Sequence, residues 1–108
     1  MDFVKVAETS EIAVGKMKVV KLEGREILVT NVNGNYYTIG NRCTHSGAEL
    51  SKGRLEGNLI ICPWHKAKFD VTTGKVVFHP KVLWRQLKLQ DEPFYEVKVD
   101  GNDILLKY

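Results

Sequence analysis

The stretch "CTHSGAELSKG" spans residues 43 to 53, and "CPWH" follows at residues 62 to 65. Together they use both cysteines of the chain and two of its three histidines. His45 lies two positions after Cys43, and His65 lies three positions after Cys62. A structural disulfide has no use for a histidine at a short offset from each sulfur. Metal ligation does, because the loop that delivers a thiolate can deliver an imidazole to the same centre.

The segments around these loops read as β almost throughout. "DFVKVAE", "MKVVKLE", "EILVTNV", "NYYTIG", "NLIIC", "AKFDV", "KVVFH", "FYEVKV" and "DILLKY" are short runs rich in β-branched and aromatic residues. Asn33-Gly34 signals a two-residue hairpin, and "LEGRE", "LEGNL", "VTTGK" and "VDGND" each place a glycine at a tight turn. In the run from Phe94 to Val99, Tyr95, Val97 and Val99 form one face and Phe94, Glu96 and Lys98 the other. No helix of ordinary length is expected. The nearest candidates are a short turn at "GAEL" and the stretch "KVLWRQLKLQDE", where the apolar residues follow neither period. The prediction is a single all-β domain over residues 1–108, built of stacked antiparallel sheets or a partly open barrel. Cys43 and His45 follow "NYYTIG", and Cys62 and His65 lie between "NLIIC" and "AKFDV", so two loop tips can meet face to face.

Composition removes several function classes. At 44% hydrophobic residues, spread along 108 positions, the chain can build one globular core. No apolar run approaches the roughly 18–20 residues of a membrane span, and "MDFVKVAETSE" lacks the apolar region of a secretion signal. A protein without membrane attachment, working in the cytoplasm, is expected. The net charge of +3 comes from Lys and Arg scattered among Asp and Glu. That is too mild and too mixed for nucleic acid, and it suits an acidic protein partner.

From the residues alone, three readings of the Cys–His pairs remain. They can be coincidental buried cysteines and polar histidines. They can form a structural tetrahedral zinc site in a zinc-stabilised interaction module, although such sites group two cysteines in one knuckle and two histidines in another. They can also hold a two-iron, two-sulfide cluster, for which each loop must reach both irons.

Through "CTHSGAELSKG", "CPWH" and "FDVTTGK" the sequence resembles the Rieske iron–sulfur family. In that family two histidines replace two cysteines on one iron of a [2Fe–2S] cluster. The resemblance implies that Cys43 and Cys62 hold one iron, and that His45 and His65 hold the other, exposed one. It implies the Rieske fold of three antiparallel sheets, with residues from about 41 to 80 forming a small cluster-binding subdomain. Membrane-bound members carry an extra cysteine in each loop, where this chain has Ala48 and Trp64. The pattern is closer to Rieske ferredoxins. By that likeness the chain is a one-electron carrier rather than an enzyme, a monomer taking electrons from a flavin reductase and giving them to a terminal oxygenase. The alternative is a small Rieske subunit of a larger redox enzyme such as a nitrite reductase.

Other positions are placed by the same likeness. Lys66 stands where many members have glycine, beside the exposed iron. High-potential members carry Ser and Tyr at the positions of Ala67 and Phe69, whose hydroxyls donate to cluster sulfurs, so a low potential is expected here. Pro80 marks a third loop over the cluster. His79 reads as structural or surface rather than as a ligand, Leu83, Trp84 and Leu87 as additional core, and Trp64 and Phe69 as cover for the cluster.

Overall fold

The computed structural model describes residues 3–44, 47–63, 66–78, 81–82, 85–86 and 90–107. In chain order the strands are β1 (Phe3–Glu8), β2 (Met17–Leu22), β3 (Arg25–Val32), β4 (Asn35–Gly40), β5 (Arg54–Glu56) and β6 (Leu59–Ile61). They continue as β7 (Lys68–Asp70), β8 (Val76–Phe78), β9 (Lys81–Val82), β10 (Arg85–Gln86), β11 (Phe94–Asp100) and β12 (Asp103–Lys107). Two single 3₁₀ turns, Thr9–Glu11 and Leu50–Lys52, are the only helical elements among the described residues.

Turn chemistry sets the hairpins. Asn33 and Gly34 have φ of 54° and 91°, and Glu23 and Gly24 have φ of 50° and 81°. Two successive left-handed residues give the tight reversal whose twist matches that of the flanking strands. They join β3 to β4 and β2 to β3 in antiparallel register, from Val32↔Asn35 to Ile27↔Gly40 and from Leu22↔Arg25 to Met17↔Thr30. The large sheet has the order β1-β12-β11-β4-β3-β2, and a second sheet has the order β5-β6-β7-β8. Strand β11 joins two ladders: Phe94 and Tyr95 pair with β4, and Glu96 to Asp100 pair with β12.

Two cores result. One gathers Ile12, Ile27, Val29, Ile104 and Leu106; the other gathers Leu28, Ile39, Leu50, Ile60, Phe69 and Val71 with both cysteines. Strand β3 supplies both, because Ile27 and Val29 point to one side and Leu28 to the other. Its run of buried residues is that of a strand covered on both faces. By contrast, β11 alternates, although Val99 is 47% exposed and does not complete the buried face.

The all-β expectation holds, and each of the nine anticipated runs contains a strand. Three further strands are additions. Arg54–Glu56, read only as the approach to a turn, pairs with β6. The stretch considered for a helix instead holds β9 and β10, paired antiparallel through Arg85↔Val82 and Gln86↔Lys81. Leu83, Trp84 and Leu87 lie outside the described residues.

Candidate metal centre

The two cysteine loops are built alike. Cys43 N–H donates to the Ala48 carbonyl, and Cys62 N–H to the Ala67 carbonyl, each at 2.8 Å. Both loops are closed by a strand-type pair, Arg42↔Glu49 for the first and Ile61↔Lys68 for the second. In each, the residue before the alanine is left-handed, Gly47 at φ 72° and Lys66 at φ 64°. The sequences "CTHSGA" and "CPWHKA" therefore form hairpin loops with one plan, each presenting a cysteine at its base. The left-handed position costs glycine nothing, whereas a residue with a Cβ loses roughly 1–2 kcal/mol there.

Asn41 fastens the first loop. It is fully buried, and its Nδ2 donates to Glu26 Oε1 at 2.9 Å while its Oδ1 accepts from Ser51 N–H at 3.0 Å. Its backbone N–H donates to the Glu26 carbonyl, and its carbonyl accepts from Leu50 N–H at 2.6 Å. Arg42 adds an ion pair with Glu26 at 2.9 Å and a hydrogen bond to the Gly47 carbonyl. Asn41 and Arg42 together hold the Glu26 carboxyl below the usual carboxylate range. Every polar atom of this junction that could be stranded by burial is thus engaged.

The segment 90–94 straps the first loop from the other side. Thr44 Oγ1 donates to the Gln90 carbonyl at 2.7 Å, Glu92 N–H to the Gly74 carbonyl at 2.7 Å, and Gly40 N–H to the Pro93 carbonyl. Glu92 is 4% exposed, and its carboxylate accepts the Thr44 backbone N–H. Burial, opposed only by that hydrogen bond, pushes its carboxyl up to about 8.

Cys43 and Cys62 share one core with Leu50, Ile60, Ala67 and Phe69, at 5% and 0% exposure, and neither is in a disulfide. Two buried, unbridged sulfur donors in one apolar core suit an iron–sulfide core, since thiolates select such clusters and water is kept from the sulfurs. The residues present fit that group. His45, His65, Trp64, His79 and Pro80 lie outside the described residues, and among those described no group of three metal-ligating side chains forms. Phe69, expected to cover the site, is fully buried beside both cysteines. Sequence reading had not singled out Asn41 or Glu92. A polar residue two positions before the first cysteine is the only signal for Asn41, and none marks Glu92.

Residues 2–88 match the family described as the Rieske [2Fe-2S] domain. The chain belongs to that family. Its cofactor is a [2Fe–2S] cluster, and its work is electron transfer rather than catalysis. The zinc reading and the reading as coincidence end here. This Rieske protein is 37% identical over 106 residues to the ferredoxin component of the naphthalene 1,2-dioxygenase/salicylate 5-hydroxylase systems of Ralstonia sp., covering 98% of this chain and 95% of that one. Among solved structures, it is similar to the ferredoxin of carbazole 1,9a-dioxygenase from Nocardioides aromaticivorans IC177, at 30% identity and a TM-score of 0.81, with 98% of this chain and 97% of that chain covered. It also matches, at 28% identity and a TM-score of 0.84, a chain in the complex of reduced oxygenase and oxidised ferredoxin in carbazole 1,9a-dioxygenase, with 96% and 91% covered. Among the described residues no helix is long and apolar enough to cross a membrane.

Proposed function

We propose that this Rieske protein is a cytoplasmic, low-potential one-electron carrier that takes electrons from a flavin reductase and delivers them to the terminal oxygenase of a ring-hydroxylating dioxygenase system. Residues 1–108 act as one Rieske domain whose cluster part runs from about 41 to 80. Cys43 and Cys62 hold one iron, and His45 and His65 hold the other. The observation that carries this reading is the matched pair of hairpin loops, each with a buried, unbridged cysteine at its base.

When bound, the cluster supplies a site for one electron. The chain's own residues do the rest. Leu50, Ile60, Phe69 and Val71 keep water from the sulfurs, and the junction at Asn41 holds the first loop still so that little rearranges as charge arrives. Ala67 and Phe69, 1% and 0% exposed, share the core of the cysteines and bring no hydroxyl to it. Without those donors the more negative reduced state is less stabilised, which favours a potential low in the family's range.

The test joins spectroscopy to turnover. The cluster-loaded protein should be reddish-brown and, once reduced, give the low-average-g paramagnetic resonance signal of mixed His–Cys ligation. With a flavin reductase, NADH and the oxygenase of carbazole 1,9a-dioxygenase, product should form only when this protein is present. A colourless zinc protein, or a loaded one that never supports turnover with any dioxygenase oxygenase, would overturn the proposal.

A further inference from the structure

A groove of about 490 Å³ runs beside the Cys62 loop, its lining including Pro63, Lys52, Arg54, Lys66 and Lys68. Glu56 is the one carboxylate in its lining. Lys52 pairs with Glu49 at 3.1 Å and Arg54 with Glu56 at 2.6 Å, both cations being well exposed. Four cations against two carboxylates leave two positive charges unbalanced. Lys68 lies over the Phe78 ring at 5.7 Å, and Lys66 meets no carboxylate among the described residues.

Lys66 also sits where a side chain of any kind carries a backbone cost. Its φ of 64° is the left-handed conformation that the twin loop gives to Gly47. A backbone held in a sparsely populated region at a site's edge points to a function for the side chain it carries. The two observations are independent, one from charge and one from backbone geometry, and both converge on one wall of one loop.

We infer that this groove is the docking surface for a redox partner, and that it selects a partner whose electron-exchange site is ringed by carboxylates. The inference rests on the carrier reading above and adds the sign and place of the recognition. Unbalanced charge steers encounter over a Debye length, roughly 30 Å at low salt and 8 Å at physiological salt. An acidic partner is thereby drawn to the loop base that holds Cys62, within reach of the electron.

Two one-electron oxidants of opposite surface charge test it: plastocyanin, which is acidic, and cytochrome c, whose haem edge is ringed by lysines. The cluster-loaded, reduced protein gives one electron to each, reducing copper or haem iron, and its reoxidation is followed by stopped flow without oxygen. Oxidation by plastocyanin should slow about ten-fold as ionic strength rises from about 0.01 to 0.15 M, while oxidation by cytochrome c should not slow. At low salt, Lys66→Gly should slow the plastocyanin reaction about three-fold, and Lys66→Arg should retain the rate. Lys98→Gln removes one charge outside the groove, in a separate hollow lined by Gly34 and Asn35, and should change little. Equal effects of Lys66→Gly and Lys98→Gln would mean that only net charge matters, and would overturn the inference. So would faster low-salt reaction with cytochrome c than with plastocyanin. A protein that holds no reducible cluster would instead overturn the carrier reading, which the visible spectrum reports separately.

Discussion

Replacing Glu92 by glutamine should make the protein more stable, by an amount that grows as pH rises from about 4.5 to about 8. The side chain is 4% exposed, and its Oε2 has no hydrogen-bond partner among the described residues. Glutamine keeps the shape and an oxygen to accept the Thr44 N–H, and it cannot ionise. In the wild type the folded-state carboxyl titrates near 8, above the 4.5 it has when exposed. The folded protein therefore holds its proton more tightly than the unfolded chain. The stability this contributes is complete below 4.5, drains away as pH rises, and is gone above about 8. At 1.36 kcal/mol per pH unit the full shift would correspond to roughly 5 kcal/mol. A cavity of about 440 Å³ adjoins Glu92 and Pro93 and lets water screen the charge, so about 2–3 kcal/mol is the better figure. For a domain of this size that is roughly 10–20 °C in the midpoint of thermal unfolding.

Thermal unfolding followed by cluster absorbance, at one scan rate and at about pH 6 and about pH 9, measures the effect. Near pH 6, where about two-fifths of the span from 4.5 to 8 has been crossed, the Glu92→Gln midpoint should already be higher by roughly 4–8 °C. Near pH 9 the Glu92→Gln midpoint should be higher by about 10 °C or more. Alkaline changes elsewhere act on both proteins alike, so the difference isolates Glu92. A gap between wild type and variant that is the same at both pH values would refute the reasoning, because it would show that Glu92 gains no charge across that interval.

Three more expectations follow from buried contacts. The double change Ala67→Ser and Phe69→Tyr puts hydroxyls beside the cysteines; at about 1 kcal/mol of added stabilisation per hydrogen bond in the reduced state, each should raise the potential by roughly 40 mV. Redox titration checks this, and an unchanged potential with the cluster intact would show that neither hydroxyl reaches sulfur. A methyl added at Gly53 would lie 1.9 Å from the Ile61 carbonyl oxygen, so Gly53→Ala must push apart the backbone leading into Cys62. It should cost about 3 kcal/mol or more and give protein that loses iron on purification, read by iron content per chain. Asn41→Ala strands the half-buried Ser51 N–H and releases Glu26; about 1–3 kcal/mol of stability should go, with faster cluster loss to a chelator.

Much of this was legible in the sequence, and the reasons differ by element. Hairpins announced themselves because turns need residues that accept positive φ, and Asn33-Gly34 and Gly24 stand where the chain reverses. The cysteine loops were legible because ligand chemistry fixes residue type and spacing together. Strand β5 was hidden, since Arg54, Leu55 and Glu56 carry a single apolar residue and pair only because β6 lies beside them. Asn41 and Glu92 were hidden for another reason. Their importance comes from burial and from partners such as Ser51 and Thr44, and neither burial nor long-range partnership leaves a local pattern.

Strand β1 meets its partner at the far end of the chain, Phe3 opposite Lys107 and Glu8 opposite Asp103. On the ribosome, β1 must wait until Asp103–Lys107 has been made before its hydrogen-bonding edge is covered. The hairpins from β5 to β8, in contrast, close over short separations, Glu56 opposite Leu59 and Ile61 opposite Lys68. Pairings between distant segments are entropically costly to bring together and form slowly. The order of assembly is thus written into the topology: the cysteine-bearing hairpins can form while β1 is still waiting, before the large sheet is sealed.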